Sequence, residues 1–424
     1  IQLPGQKNRL LLNDGAGHFT ELAEAGVDQV NLAANAVFAD FNGDANLDIF
    51  VGNGQTGYAV PDQLFFGRGD GTFQDVSSVY LKNSPAQPSN GSVACDYDDD
   101  GDLDIFVSTY GVSTFNGRNH LWENDGTGLM TEVGLARGFA ALGTGNYYLA
   151  STGNGTTVEP DVAPDKYMGS NGFGIQCEDA TGDGLMDIFL TAISHPVDSD
   201  YSRKWSDPTQ LLVNTGEAGG YGFTNEFLAR GLPFNEGDVD GAMVDFDNDG
   251  RMDLSVSRDK KYEPNYPDID QQSWFGLMHQ QPDGSFTSVG PASGINDSEA
   301  EYNRMKAAQN HAWSDIDHDG DLDLYTGEIA HPDVGAGSDR AQLLTNVTEQ
   351  GQPARFNRDG QREAVDRVVG VADDRQLIRA LHQVVERDVR RPDLRDVRAR
   401  EQLTQHLPPP PITIHHQCHH HDRI

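Results

Sequence analysis

Basic side chains are scarce in this chain: 30 Lys and Arg stand against 66 Asp and Glu, a net charge of −36 over 424 residues. A surface of that sign repels nucleic acid and anionic membranes, which excludes both as partners. No stretch of 18 apolar residues occurs, so no transmembrane helix and no membrane insertion are expected. The opening Ile1-Gln2-Leu3-Pro4 shows no signal-peptide pattern, which leaves removal of such a segment open. Three cysteines set no disulfide framework. Cys95 and Cys177 lie on strands that lead into acidic loops, where buried free thiols are the expected state. Catalytic signatures are missing as well: there is no Gly-x-Ser-x-Gly elbow, no phosphate-binding glycine loop and no His-Glu-x-x-His pair. Aromatics make up only 8% while glycine reaches 47 residues, a balance that favours many short strands and turns.

What the chain does have is aspartate in a fixed pattern. A nine-residue loop recurs five times, starting at Asp40, Asp96, Asp179, Asp245 and Asp315. Oxygen-bearing side chains fall at positions 1, 3, 5 and 9: Asp40, Asn42, Asp44 and Asp48; Asp96, Asp98, Asp100 and Asp104; Asp179, Thr181, Asp183 and Asp187; Asp245, Asp247, Asp249 and Asp253; Asp315, Asp317, Asp319 and Asp323. Calcium takes six to eight oxygens at roughly 2.3–2.6 Å, and alternate residues of a tight loop converge on one point. The backbone carbonyl of position 7 is the expected fifth donor, which explains why that residue varies (Asn46, Asp102, Leu185, Arg251, Asp321). Two uncompensated carboxylates about 5 Å apart repel by ~3 kcal/mol at an effective dielectric of ~20, so loops of this kind need cations. A merely solvated acidic face would not keep the 1-3-5-9 spacing.

An EF-hand opens the same way but needs Glu at position 12 and a helix on each side. Here position 12 is Val51, Val107, Leu190, Val256 or Thr326, inside strand-like runs such as Ile49-Phe50-Val51. The loops therefore join strands. About five calcium sites are expected, and the first and third, with Asn42 and Thr181 replacing carboxylates and Ala45 replacing glycine, are expected to empty first.

The repeat extends past each loop to an apolar strand, a glycine turn and a strand carrying Phe, as in Leu64-Phe65-Phe66 with Asp70-Gly71-Thr72-Phe73. Each unit supplies about four strands, and loop starts lie 56 to 83 residues apart. The fold class is all-β, a β-propeller of four-stranded blades with calcium loops between strands.

The five loops, together with Asn8-Arg9-Leu10-Leu11-Leu12-Asn13-Asp14-Gly15-Ala16-Gly17-His18-Phe19-Thr20, resemble FG-GAP (VCBS-type) repeats, the calcium-bearing blades of integrin-α-like propellers. The flavour is that of the cartilage acidic protein group, often followed by an ASPIC/UnbV domain. The resemblance covers roughly residues 8–350. It implies a secreted or surface-exposed propeller, seven blades being usual, with one calcium per loop. The chain departs from the family in showing five loops and no ASPIC/UnbV-like segment.

Residues 1–357 form the expected propeller region. Beyond Phe356-Asn357 the composition shifts: residues 358–424 hold no aromatic residue, recurrent Arg, the run Pro408 to Pro411 and a closing His cluster. Of the two readings, a partner-binding tail or a shifted reading frame, the abrupt stop of the blade pattern favours the second, and no function is assigned to it. A ligand is expected on the face opposite the calcium loops, where long connections carry His195, Arg203, Trp205, Lys261, Tyr262, His331 and Arg340. Repeat periodicity alone accounts for the paired His195 and His331, so each single residue weighs less than the group. The expected function is a calcium-stabilised binding or adhesion module for a protein or glycan. The alternatives are a polysaccharide-active lyase or hydrolase on the same propeller and a purely structural scaffold.

Overall fold

The computed structural model describes residues 7–29, 32–54, 60–110, 118–140, 172–192, 209–233, 237–258, 275–295, 308–328, 342–348 and 352–357, with strand fragments at 146–147, 157–158, 167–169 and 205–206. A hairpin of β1 (Leu11–Asn13) and β2 (Phe19–Glu21) comes first. Five four-stranded antiparallel sheets follow. The first holds β3 (Ala33–Ala39), β4 (Asp48–Asn53), β5 (Gln63–Gly67) and β6 (Phe73–Asp75). The second holds β7 (Ser89–Cys95), β8 (Asp104–Thr109), β9 (His120–Asn124) and β10 (Met130–Glu132). Next come β11 (Asn146–Tyr147) paired with β12 (Thr157–Val158), and β13 (Tyr167–Gly169), which pairs in parallel with the later β16 (Trp205–Ser206). The third sheet comprises β14 (Gly172–Glu178), β15 (Asp187–Ala192), β17 (Gln210–Asn214) and β18 (Phe223–Asn225). The fourth comprises β19 (Asp238–Val244), β20 (Asp253–Arg258), β21 (Phe275–Gln280) and β22 (Phe286–Ser288). The fifth comprises β23 (Ala308–Ser314), β24 (Asp323–Glu328), β25 (Gln342–Asn346) and β26 (Phe356–Asn357).

The first strands pack against one another in chain order, β3 on β7, β7 on β14, β14 on β19 and β19 on β23, so the sheets succeed one another as propeller blades. This placement explains the apolar runs. Every residue of β4, β8, β15 and β20 is buried, because each sheet has a core on both faces. Successive side chains of a strand point to opposite faces. In β4, Phe50 meets Ile105, Val107 and Trp122 of the second sheet, while Ile49 and Val51 pack with Ala25 and Val27 on the other side. In β8, Phe106 turns instead to Ile175, Ile188 and Leu212 of the third sheet. Burying each such side chain stabilises by about 1.5–3 kcal/mol.

The β1–β2 hairpin matches the outer half of a blade. Phe19 stands where Phe73, Phe223 and Phe286 stand, yet it is 45% exposed and Leu12 equally so, whereas Phe73 is 9% exposed. Phe73 packs with Ala25, Val27, Ile49, Val51 and Phe65, whereas β1 and β2 form a two-stranded sheet with no inner strand paired to β1 among the described residues.

The free-thiol expectation for Cys95 and Cys177 is corrected. The two cysteines, 82 residues apart, are disulfide-bonded, with Cα atoms 6.4 Å apart. Each sits near the loop end of a first strand, one residue before the loop for Cys95 and two for Cys177, and the packing of adjacent first strands brings them together, a proximity that sequence separation hides. Asn346, which opens the glycosylation sequon Asn346-Val347-Thr348, is closed off in the folded chain: it is 1% exposed and its amide is engaged with the Phe246 carbonyl.

Candidate metal centres

Each acidic loop runs from the end of a first strand to the start of a second, and its own hydrogen bonds shape it. The position 1 carboxylate accepts the amides of positions 5 and 6: Asp40 from Asp44 and Ala45, Asp179 from Asp183 and Gly184, Asp245 from Asp249 and Gly250, Asp315 from Asp319 and Gly320. Asp96 accepts from Gly101 in the same way. The position 5 carboxylate then accepts the amide of position 7, as Asp44 does from Asn46, Asp100 from Asp102, Asp183 from Leu185, Asp249 from Arg251 and Asp319 from Asp321. The backbone is left-handed at positions 4 and 6, which explains the Gly, Asn or Asp found at most of them, His318 at φ +64° being the exception at position 4. Ala45, at φ +65°, occupies position 6 of the first loop against that preference.

The position 9 aspartate opens the second strand and is 0–1% exposed in all five loops. One of its oxygens accepts the amide of the last residue of the third strand: Gly67, Asn124, Asn214, Gln280 or Asn346, at 2.7–2.8 Å. The other oxygen faces the loop. In the first, third and fifth loops it accepts the position 2 amide at 3.0 Å. In the second and fourth loops, the position 2 amides of Tyr97 and Phe246 approach Oδ2 of Asp104 and of Asp253 without completing a hydrogen bond.

The structure brings the expected carboxylates together. Asp96, Asp98 and Asp104 form one cluster; Asp245, Asp247 and Asp249 a second; Asp315, Asp317 and Asp323 a third, with ligand atoms within 4.8 Å of one another in each. Thr181 and Asn42 stand at the corresponding third positions of the other two loops, where no such triplet forms among the described residues. Oδ1 atoms of Asp96, Asp98, Asp247 and Asp317 are likewise buried without hydrogen bonds. Burial, aided by neighbouring carboxylates, raises these acids: Asp98 to about 6, Asp104 to about 8, Asp187 to about 6 and Asp253 to about 8. Asp48, Asp247, Asp317 and Asp323 move the same way, again mainly by burial. A divalent cation reverses that direction, since its charge favours the ionised form.

Two features of the site escaped the sequence reading. In the second to fifth blades the residue ending the third strand donates its side-chain amide to the position 2 carbonyl in the preceding blade's loop: Asn124 to Phe41, Asn214 to Tyr97, Gln280 to Ala180 and Asn346 to Phe246, at 2.7–2.8 Å. The first four loops are thereby fastened to the next blade. The Asn that recurs at the end of the apolar strand, as Asn124, Asn214 and Asn346, is the available signal. The second feature lies one residue earlier. His279 reaches the fourth loop with Nε2 3.1 Å from Asp247 Oδ2 and 3.2 Å from Asp249 Oδ2. In that loop the Arg251 side chain also pairs with Asp249, while its Nε donates to the Gln280 carbonyl at 3.0 Å. Beside the second loop, Glu123 accepts from Tyr97 Oη at 2.7 Å and pairs with Arg137 at 2.7 Å.

The ligand-face residues His195, Arg203, Lys261, Tyr262, His331 and Arg340 lie outside the described residues, and of Trp205 only its backbone in β16 is described. None of the described helices is long and apolar enough to cross a membrane.

The FG-GAP-like repeat family matches residues 3–51 and 47–107. Cartilage acidic protein 1 of Xenopus tropicalis is 29% identical over 189 residues, 43% of this chain and 25% of that protein. The Homo sapiens protein is 27% identical over 242 residues, 55% of this chain and 29% of that protein. The chain thus aligns with under a third of the length of these relatives. Among solved structures, the V. cholerae biofilm matrix protein Bap1 aligns with a TM-score of 0.35 at 13% identity, covering 71% of this chain and 36% of that one. Rhamnogalacturonan lyase YesW aligns with a TM-score of 0.31 at 12% identity, covering 83% and 67%. At such scores the fold rests on the strand order and packing described above. With loops, blades and sequence matches in agreement, the chain carries FG-GAP-like repeats and is homologous over part of its length to cartilage acidic protein 1.

Proposed function

We propose that this chain is a calcium-stabilised extracellular binding module, in which the loops hold the cations that keep the blades together and the opposite face recognises a protein or glycan. The observation that carries the calcium reading is the set of buried loop carboxylate oxygens without hydrogen bonds, above all Asp104 Oδ2 beside Asp96 and Asp98. An uncompensated buried carboxylate is costly, and several converging on one point are stabilised by a bound cation. The Cys95–Cys177 disulfide supports an oxidising, extracellular setting, where such bonds persist and calcium is abundant.

The catalytic alternative has one described constellation to consider. His311 contacts Ser255 Oγ through Nε2 and Ser257 Oγ through Nδ1, both at 2.8 Å, with Asp240 3.4 Å from Nδ1. Its side chain is 0% exposed, so no substrate reaches it, and it serves as a polar seam between the fourth and fifth blades. This constellation therefore carries no catalytic reading, and the binding reading, which needs only an exposed basic and aromatic rim, is preferred. Its test is thermal unfolding of the full chain in EDTA and in millimolar calcium, followed by a glycan and matrix-protein binding screen. A melting temperature indifferent to calcium overturns the metal half. Turnover of a polysaccharide in the same screen replaces binding by catalysis.

A further inference from the structure

We propose that the fourth loop is a site for a borderline divalent cation of the Zn2+ class, with His279 Nε2 as a ligand beside Asp247 and Asp253. This rests on the reading that the loops hold cations, and it changes which cation one of them selects. Asp247, Asp253 and His279 present ligand atoms within 4.8 Å of one another. Asp253 is 0% exposed, and its Oδ2 has no formed hydrogen bond, the Phe246 amide only approaching it. A buried, unpartnered carboxylate oxygen facing an imidazole nitrogen is a mixed N/O donor set.

Register shows that His279 is a departure from the repeat. The residue before the third-strand terminus is Phe66 in the first blade, Glu123 in the second, Val213 in the third and Thr345 in the fifth. Repetition explains what recurs, and an imidazole at this place does not recur. The position does face the loop: Glu123, its counterpart, lies close enough to Asp98 to raise that acid.

The oxygens left for calcium are also fewer here than in the second and fifth loops. Arg251, anchored on the Gln280 carbonyl, occupies the Asp249 carboxylate. Calcium takes six to eight oxygen ligands, whereas zinc is satisfied by four N and O donors and favours imidazole. The ring is held for the role. The ring meets Phe246 edge-on at 6.0 Å between centroids, and Nδ1 lies 3.1 Å from the Gln281 side-chain amide, which turns its oxygen to Nδ1–H when Nε2 takes the metal.

The test uses the full chain with the terminal His415, His416, His419, His420 and His421 changed to Gln and Cys418 to Ser, which removes adventitious zinc binding. Calorimetric titration with Zn2+ in excess millimolar Ca2+ is run on this parent, on His279→Gln and on His279→Phe, the residue that the first blade carries there. One equivalent of Zn2+ binding the parent, weakened by more than about tenfold in both variants while calcium uptake elsewhere persists, is the expected result. Equal zinc affinity in parent and variants, with calcium still bound, overturns this inference alone and makes His279 a counter-ion for Asp247 and Asp249. Zinc bound through His279 without calcium at any loop upholds this inference and overturns the calcium reading. Binding of neither ion overturns both.

Discussion

At the scale of single residues, two positions pull against the fold that surrounds them. Ala45 takes a left-handed φ of +65° where the equivalent residues of the other four loops are glycine. Left-handed backbone costs a side-chain-bearing residue about 1–2 kcal/mol, while glycine gives back ~0.5–1 kcal/mol in chain entropy. Ala45→Gly is expected to stabilise by roughly 0.5–1 kcal/mol, read from the urea midpoint. Asp62 is 2% exposed and its carboxylate accepts from the Asn53 amide at 2.8 Å and from Ser89 Oγ of the next blade at 2.9 Å. Burial outweighs these bonds and raises it to about 7, from 3.8. The folded chain then holds a proton that the unfolded chain has lost between pH 4 and 7, so stability falls as pH rises across that window. The penalty is full above pH 7 and absent below 4, on the order of a few kcal/mol. Asp62→Asn is expected to flatten this part of the stability profile, measured as melting temperature against pH in calcium-replete buffer.

At the scale of the element, the strand termini do more than end strands. Asn214 shows how: its Nδ2 donates to the carbonyls of Tyr97 at 2.8 Å and Met186 at 3.1 Å, and its Oδ1 accepts from Gly216 at 3.0 Å. Asn214→Ala leaves buried partners unsatisfied, with an expected loss of about 2–4 kcal/mol in chemical unfolding. If that loss were within ordinary surface values, the amide link between blades would carry no weight. The Cys95–Cys177 bond joins the second and third blades near the same loops. Closing a segment of that length contributes about 2–5 kcal/mol, so Cys95→Ser with Cys177→Ser is expected to lower the unfolding midpoint without altering calcium stoichiometry.

At the scale of the whole molecule, net charge and metal loading act together. The 66 acidic residues repel one another, and on the proposed calcium reading cations in the loops offset that repulsion. Progressive chelation is expected to empty the first and third loops before the second and fifth, because Asn42 and Thr181 supply no charge. Titration resolving equal affinities at all loops would contradict that order. Neighbouring loops also touch: Asn248 of the fourth donates to Asp321 of the fifth at 2.9 Å, so loss of one ion is expected to loosen the next.

Much of this was legible in the chain itself. The 1-3-5-9 aspartates announce the loops, because a hard cation needs oxygens at alternate positions of a tight turn. Runs such as Ile49-Phe50-Val51 announce strands, and glycine turns announce four strands per unit. What sequence spacing could not show is which side chains meet across blades. Stacked first strands bring Cys95 to Cys177 across 82 residues and turn a reading of two free thiols into a disulfide. Third-strand termini from one blade reach the loop of the blade before, as Asn346 does to Phe246. His279 joins Asp247 and Asp253 only because β20 and β21 are hydrogen-bonded in register. Local pattern fixes what a residue offers, and packing between blades decides to whom it is offered, because contacts between blades depend on sheet order rather than on distance along the chain.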